Sequence, residues 1–188
     1  FGLISRDGVL SQSPTLDTVG FIGSDLEVLE AVLSALTPLA APVDRAILRV
    51  ARLQGDLIDR APDYVLTHLE EIGREHSGFI KTRDLSDGFS RSIELRQLIN
   101  AYELSHQFAQ ILNCHGNLLS EAIATEVKVG REIPAPDYLS AIRELEALSR
   151  PIDELLEKFD CLLLPSALGE PPKGLTSTGD SIFNAPWT

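Results

Sequence analysis

Apolar residues along this chain change spacing several times, and each change marks a predicted element. Residues 1–23, FGLISRDGVLSQSPTLDTVGFIG, are dense in Gly, Ser, Asp and Pro and carry no periodic face. They predict a loop held by specific backbone geometry. At Ser24 the texture changes. Ser24-Asp25-Leu26-Glu27 fits a capping box, with Ser24 as N-cap accepting from the backbone of Glu27 and Glu27 bonding back. Leu26, Leu29, Val32, Leu33 and Leu36 then fall at helical spacing, and Pro38 and Pro42 close that helix.

Arg45 to Ala51 reads as a strand bounded by Pro42 and Gly55. A helix over about 62–76 follows, with Pro62 in its first turn and Val65, Leu66, Leu69 and Ile72 as its apolar stripe. Gly78 to Thr82 is the next strand. Strand, helix, strand in this order predicts a βαβ unit and a parallel sheet. From Asp87 to Lys158 the spacing is helical, through Ile93, Leu95, Leu98, Ile99, Tyr102, Leu104, Phe108, Ile111 and Leu112. Breaks fall near Gly116 and over Gly130–Pro136. Pro136 starts a last helix through Tyr138, Ile142, Leu145 and Leu148, which Pro151 should kink or restart. Cys161-Leu162-Leu163-Leu164, closed by Pro165, predicts a strand buried on both faces. The Gly/Pro/Ser/Thr-rich tail, residues 169–188, predicts an ordered functional loop, because Phe183 and Trp187 give it something to bury. One segment of a larger domain is expected: a loop and helix over 1–43, a βαβ and helical region over 44–130, and a helix, strand and loop over 131–188.

Composition narrows the function classes. Of 188 residues, 44% are hydrophobic and 23% charged, which fits a soluble globular chain and not a disordered one. No apolar run approaches the ~18–20 residues of a membrane span, and no leader pattern opens the chain. The net charge of −12 argues against nucleic acid or an anionic membrane as partner. Cys114 and Cys161 are isolated, without CxxC or His at ligand spacing, and read as reduced, partly buried thiols in a cytoplasmic setting. The sequence holds no methionine and opens on Phe1, which reads as a segment of a longer polypeptide.

No complete catalytic set emerges from the residues alone. His68, His76, His106 and His115 form no HxxxH or HExxH, so no metal is expected. GxGxxG, GxxxxGK and GxSxG are all missing, and no cofactor is expected. Ser5, Ser11 and Ser13 suit turns and caps, and Glu70-Glu71 suits a solvated helix face. Two stretches stand out. In Ser13–Gly20, Asp17 is suited to bind backbone N–H groups and staple a tight loop. In Ser177–Trp187, hydroxyls, an acid, an amide and an aromatic crowd together just beyond a predicted strand, where open α/β sheets bind ligands.

These two stretches resemble the amidase signature family. GLISRDGV, SPTLDTVG and the helix after Ser24 are similar to the segment that follows the family's Gly/Ser-rich signature. Tyr138–Lys158 leading into FDCLLLPSA, and then STGDSIFNAPWT, are similar to its long helix, strand and following loop. The resemblance runs the length of the chain and is least specific over 45–130. It implies an α/β fold, a mixed sheet core flanked by many helices and incomplete at both ends, and hydrolysis of a carboxylic amide by a Ser–Ser–Lys triad. All three catalytic residues would lie upstream of Phe1; Lys81, Lys128, Lys158 and Lys173 lie in the wrong segments to replace the lysine. The family's Gly-x-Pro-Ala strand does not follow Trp187-Thr188 either, so this segment alone should be inactive.

What the resemblance carries over is substrate-side. Asp180 occupies the position of an acid that holds the substrate's amino group. Ser177, Thr178 and Asn184 would line the same pocket, with Trp187 packed beneath it and Arg143 matching an arginine on the long helix. Asp17 and Thr18 would brace the loop that bears the nucleophile. The implied partners are a small-molecule amide and the remainder of the parent chain, with room for a homodimer. Two other readings stay open: a non-catalytic interaction or scaffold module that kept the fold, and an unrelated βαβ domain binding a small ligand.

Overall fold

Three parallel strands, β1 (Val50–Gln54), β2 (Ile80–Asp84) and β3 (Cys161–Leu163), pair in the order β2-β1-β3. The structure is a computed structural model and describes residues 2–37, 48–85 and 87–187. Six α-helices accompany the strands among these residues: α1 (Leu26–Leu36), α2 (Asp63–Glu75), α3 (Arg91–Gln107), α4 (Ala109–His115), α5 (Glu121–Arg131) and α6 (Ala135–Leu156). This is the expected α/β architecture. The chain divides into two compact units, one of residues 1–42, 98–138 and 188, the other of 43–97 and 139–187.

The second unit contains the sheet. The strand expected over Arg45–Ala51 lies at Val50–Gln54, and residues 45–47 fall outside the described ones. Polar residues hide it in the sequence: Arg52 and Gln54 bond across to Thr82 (3.0 Å) and Asp84 (2.5 Å), their register partners. Its entry is set by Asp160, which accepts from the Arg49 backbone N–H (2.7 Å) and from Nε and Nη2 of the same residue. That side-chain bonding holds the Asp160 carboxyl below its ordinary value. The strand expected over Gly78–Thr82 starts later, at Ile80, because Phe79 and Ile80 first turn back onto the His76 carbonyl.

β3 is not buried on both faces as expected. Cys161, Leu162 and Leu163 are all half-buried, and β3 lies at one edge of this three-stranded sheet. Leu162 and Leu164 pack on the core of Ala51, Leu53, Leu57, Phe89, Phe159 and Phe183. Ile182 and Phe183 are 2% and 1% exposed there, so the tail does contribute to the core. α6 begins at Ala135 and runs through Pro151 without restarting. Leu148, Ile152 and Leu155 hold both sides of the proline against the core, which offsets the missing hydrogen bond.

In the first unit, the N-cap of α1 is Asp25 and not Ser24. Asp25 accepts from the Val28 N–H (2.9 Å), while Ser24 donates its hydroxyl to Asp25 (2.8 Å). A carboxylate is the stronger acceptor for an exposed helix N-terminus, so the cap moves one residue. Leu104, Phe108 and Val127 form one core cluster of this unit with Ile111, Leu112, Leu119 and Ile123. α5 approaches α3 closely at Gly130: a Cβ there would stand 1.9 Å from the Ala101 carbonyl oxygen. Both cysteines are free; Cys161 is half-buried, but Cys114 is exposed, correcting the expectation of two partly buried thiols. No helix among the described residues is long and apolar enough to cross a membrane.

Candidate functional site

Just beyond β3, the chain folds into a concavity of about 810 Å³ lined by residues 167–172 and 177–181. Three of the predicted site residues, Ser177, Thr178 and Asp180, line it together. Their geometry comes from local turns. Ser177 Oγ accepts from the Gly179 N–H (3.1 Å), and Asp180 Oδ1 accepts from the Ile182 N–H (3.0 Å). Gly179 has φ +93°, a conformation that side chains rarely adopt, so glycine is what lets the two turns adjoin. Ile182 and Phe183, sunk into the core, anchor the loop's far end.

The remaining candidates are elsewhere. Asn184 donates to the Ser166 carbonyl (3.1 Å) and ties the two ends of the segment together without lining the concavity. Trp187 packs on Phe89 at 5.4 Å between ring centroids, and its buried indole N–H has no hydrogen-bond partner among the described residues. Arg143 is exposed on α6 and is not among the lining residues. The concavity thus combines two carboxylates (Glu170 and Asp180), three hydroxyls and an apolar wall of Leu168, Pro171 and Pro172. Such a surface accepts hydrogen bonds from a polar ligand with N–H groups.

The first unit holds the other stretch. Asp17 Oδ2 accepts from Ser11 Oγ (2.9 Å), the Gln12 N–H (2.9 Å) and the Ser13 N–H (3.1 Å), the stapling geometry read from the sequence. Arg6 donates to the Asp17 carbonyl (3.2 Å). Thr18 is exposed and borders a small concavity of about 260 Å³ with Gly2, Ile4, Arg6 and Leu33.

Glu103 occupies an ordinary helical position in the sequence, on α3. It is 7% exposed and accepts from Ser13 Oγ (2.6 Å), the Thr15 N–H (3.0 Å), the Thr15 hydroxyl and Tyr138 Oη (2.7 Å). Burial alone would raise its carboxyl; the bonds from Ser13, Thr15 and Tyr138 outweigh that and hold it below the ordinary glutamate value. For Tyr138 the same pairing acts the other way, burial first and then Glu103 pushing the phenol up. The one signal in the sequence was an acid between Tyr102 and Leu104, on the helix side that otherwise goes to the core. Among the described residues, no group of three His, Cys, Asp or Glu is placed to hold a metal ion.

No protein-family model matches the sequence, and no curated protein matches it. Solved structures do. One, described as the crystal structure of an amidase, aligns over 93% of this chain with a TM-score of 0.80 and 21% identity. Another comes from a vestigial protein complex described as revealing the evolutionary origins of an s-triazine catabolic enzyme; it aligns over 93% with a TM-score of 0.77 and 18% identity. At these identities the likeness is one of fold. The chain spans 41% and 42% of the length of these two proteins.

Proposed function

We propose that this chain is part of an amide hydrolase, with its 167–181 segment on the substrate side. The observation that carries the reading is the fold likeness to an amidase over 93% of the chain. In the mechanism proposed, a serine activated by a second serine and a lysine attacks the amide carbonyl. Its proton passes through that pair to the departing nitrogen. Ammonia or an amine leaves, and water then cleaves the acyl-enzyme. The three catalytic residues would be carried by polypeptide beyond these 188 residues. Asp180, Ser177 and Thr178 would bind the substrate's N–H groups, and Asp17 and Thr18 would brace the nucleophile's loop. The free cysteines and acidic charge suit a cytoplasmic setting without nucleic acid as partner.

The test is ammonia or amine release from a panel of carboxamides by the protein as its gene encodes it. Asp180→Asn should raise KM several-fold with kcat largely kept and the circular-dichroism spectrum unchanged. An unchanged KM would sink the assignment of Asp180. A second reading is a non-catalytic module that kept the fold. One similar structure belongs to a vestigial complex. A folded, full gene product that releases nothing from any amide would establish that reading over the first.

A further inference from the structure

We propose that Glu103, backed by Tyr138, sets the conformation of the loop Ser11–Asp17 and is a positioning residue for the reaction proposed above. The positioning half of this statement rests on the amidase reading; the loop half does not.

A buried carboxylate costs several kcal/mol unless donors meet its oxygens, and an apolar side chain could fill the same space without that cost. A charge kept here is therefore explained best by its directionality. Glu103 on α3 takes bonds from two residues of the loop, Ser13 and Thr15, which lie 90 and 88 positions away in sequence. Tyr138, on the first turn of α6, adds a further donor from 35 positions away. The Tyr138 ring lies stacked on Tyr102 at 4.2 Å and 13°, so its hydroxyl is held in place by packing.

Ser13 joins this carboxylate to the second one. It is wholly buried, giving its hydroxyl to Glu103 and its amide to Asp17. The Leu16 and Asp17 amides close back on the Ser13 carbonyl, at 3.0 and 2.8 Å. Residues 13–17 are thus held between two acids, one from inside the loop and one from α3. Shifting the loop would strip Glu103 of most of its donors, and charge-assisted bonds to a buried carboxylate are costly to lose. The same loop presents Ser11 and Asp17 to a concavity of about 280 Å³ shared with Arg6, Asp7 and Val9, so the position of that wall depends on Glu103 as well.

Two readouts test this. In the full gene product, Glu103→Ala should speed hydrogen exchange at the Gln12, Ser13, Thr15, Leu16 and Asp17 amides at least tenfold, with α5 amides unchanged. Unchanged loop exchange overturns the proposal. In the full gene product, Glu103→Gln should lower kcat tenfold or more per folded molecule with KM within twofold, and Glu103→Asp should recover part of it. A wild-type kcat per folded molecule overturns the positioning role, since a purely structural residue would change only the folded fraction. If Glu103→Ala does not fold, Tyr138→Phe removes one donor and keeps the ring stack; it should give the same pattern at two- to fivefold, and no change overturns the proposal equally. A wild-type protein that hydrolyses no amide defeats the amidase reading and the positioning role with it, while loop exchange still decides the first half.

Discussion

Ser13 and Glu103, 90 residues apart in sequence, share a buried hydrogen bond of 2.6 Å that ties the N-terminal loop to helix α3. Neither residue alone announces it. A serine in a turn and a glutamate in a helix are both ordinary on a surface, and the pairing exists because the fold buries them together.

Removing one partner should cost more than the bond's net worth. Ser13→Ala leaves Glu103 one donor short in a site 7% exposed, so a loss of about 1.5–3 kcal/mol is expected. Urea unfolding of the two proteins measures it. A loss under ~0.5 kcal/mol would mean water replaces the serine freely.

The pH dependence follows from the direction of the Glu103 shift. Its folded carboxyl lies below the ordinary value, so the stability it contributes is fully present above the unfolded pKa of about 4.3 and is lost as pH falls through the folded value. Tyr138 is shifted up, and its contribution is lost at the alkaline end, as pH rises through its folded value above ~10. The difference in unfolding free energy between wild type and Glu103→Gln should be flat near neutrality and shrink below about pH 4. A difference that grows on acidification contradicts the assignment.

Gly130 tests the approach of α5 to α3. A methyl group there would meet the Ala101 carbonyl oxygen at 1.9 Å, its carbon at 2.5 Å and Ser105 Cβ at 2.8 Å, and backbone cannot step aside as a flexible side chain can. Gly130→Ala should destabilise by about 3 kcal/mol, the upper end of overpacking costs. Gly78→Ala, where nothing among the described residues lies within 4 Å, serves as the control and should change the thermal midpoint little.

The tail's anchorage can be read from Phe183. Being 1% exposed in the sheet core, it should cost about 3–5 kcal/mol on truncation to Ala. Limited proteolysis should then cut residues 170–181 faster. If stability is kept, the segment does not depend on the core in the way its burial indicates.

Legible along the chain were the elements whose side chains repeat at one period. The stripe Val65-Leu66-Leu69-Ile72 marked α2, the strand–helix–strand order marked a parallel pair, and Phe183 marked a tail with something to bury. Asp17 was legible too, because an Asx staple reaches only its near neighbours. The errors fall where distant groups compete. Asp160, 111 positions from Arg49, helps set where β1 begins, and the parallel ladder carries the strand on through Arg52 and Gln54, whose side chains bond to their register partners Thr82 and Asp84. At the tail, local turns bring Ser177, Thr178 and Asp180 to one wall, and Trp187 packs on Phe89 and the core without lining that wall. Glu103 was invisible for the same reason: local pattern reports which face of a helix is apolar, but whether a carboxylate on that face is tolerated depends on donors that only folding brings to it. Spacing along the chain determined the helices, the parallel pair and the stapled loop. Tertiary structure alone decided which polar groups would be buried together, because a buried charge is stable only where the whole fold supplies its partners.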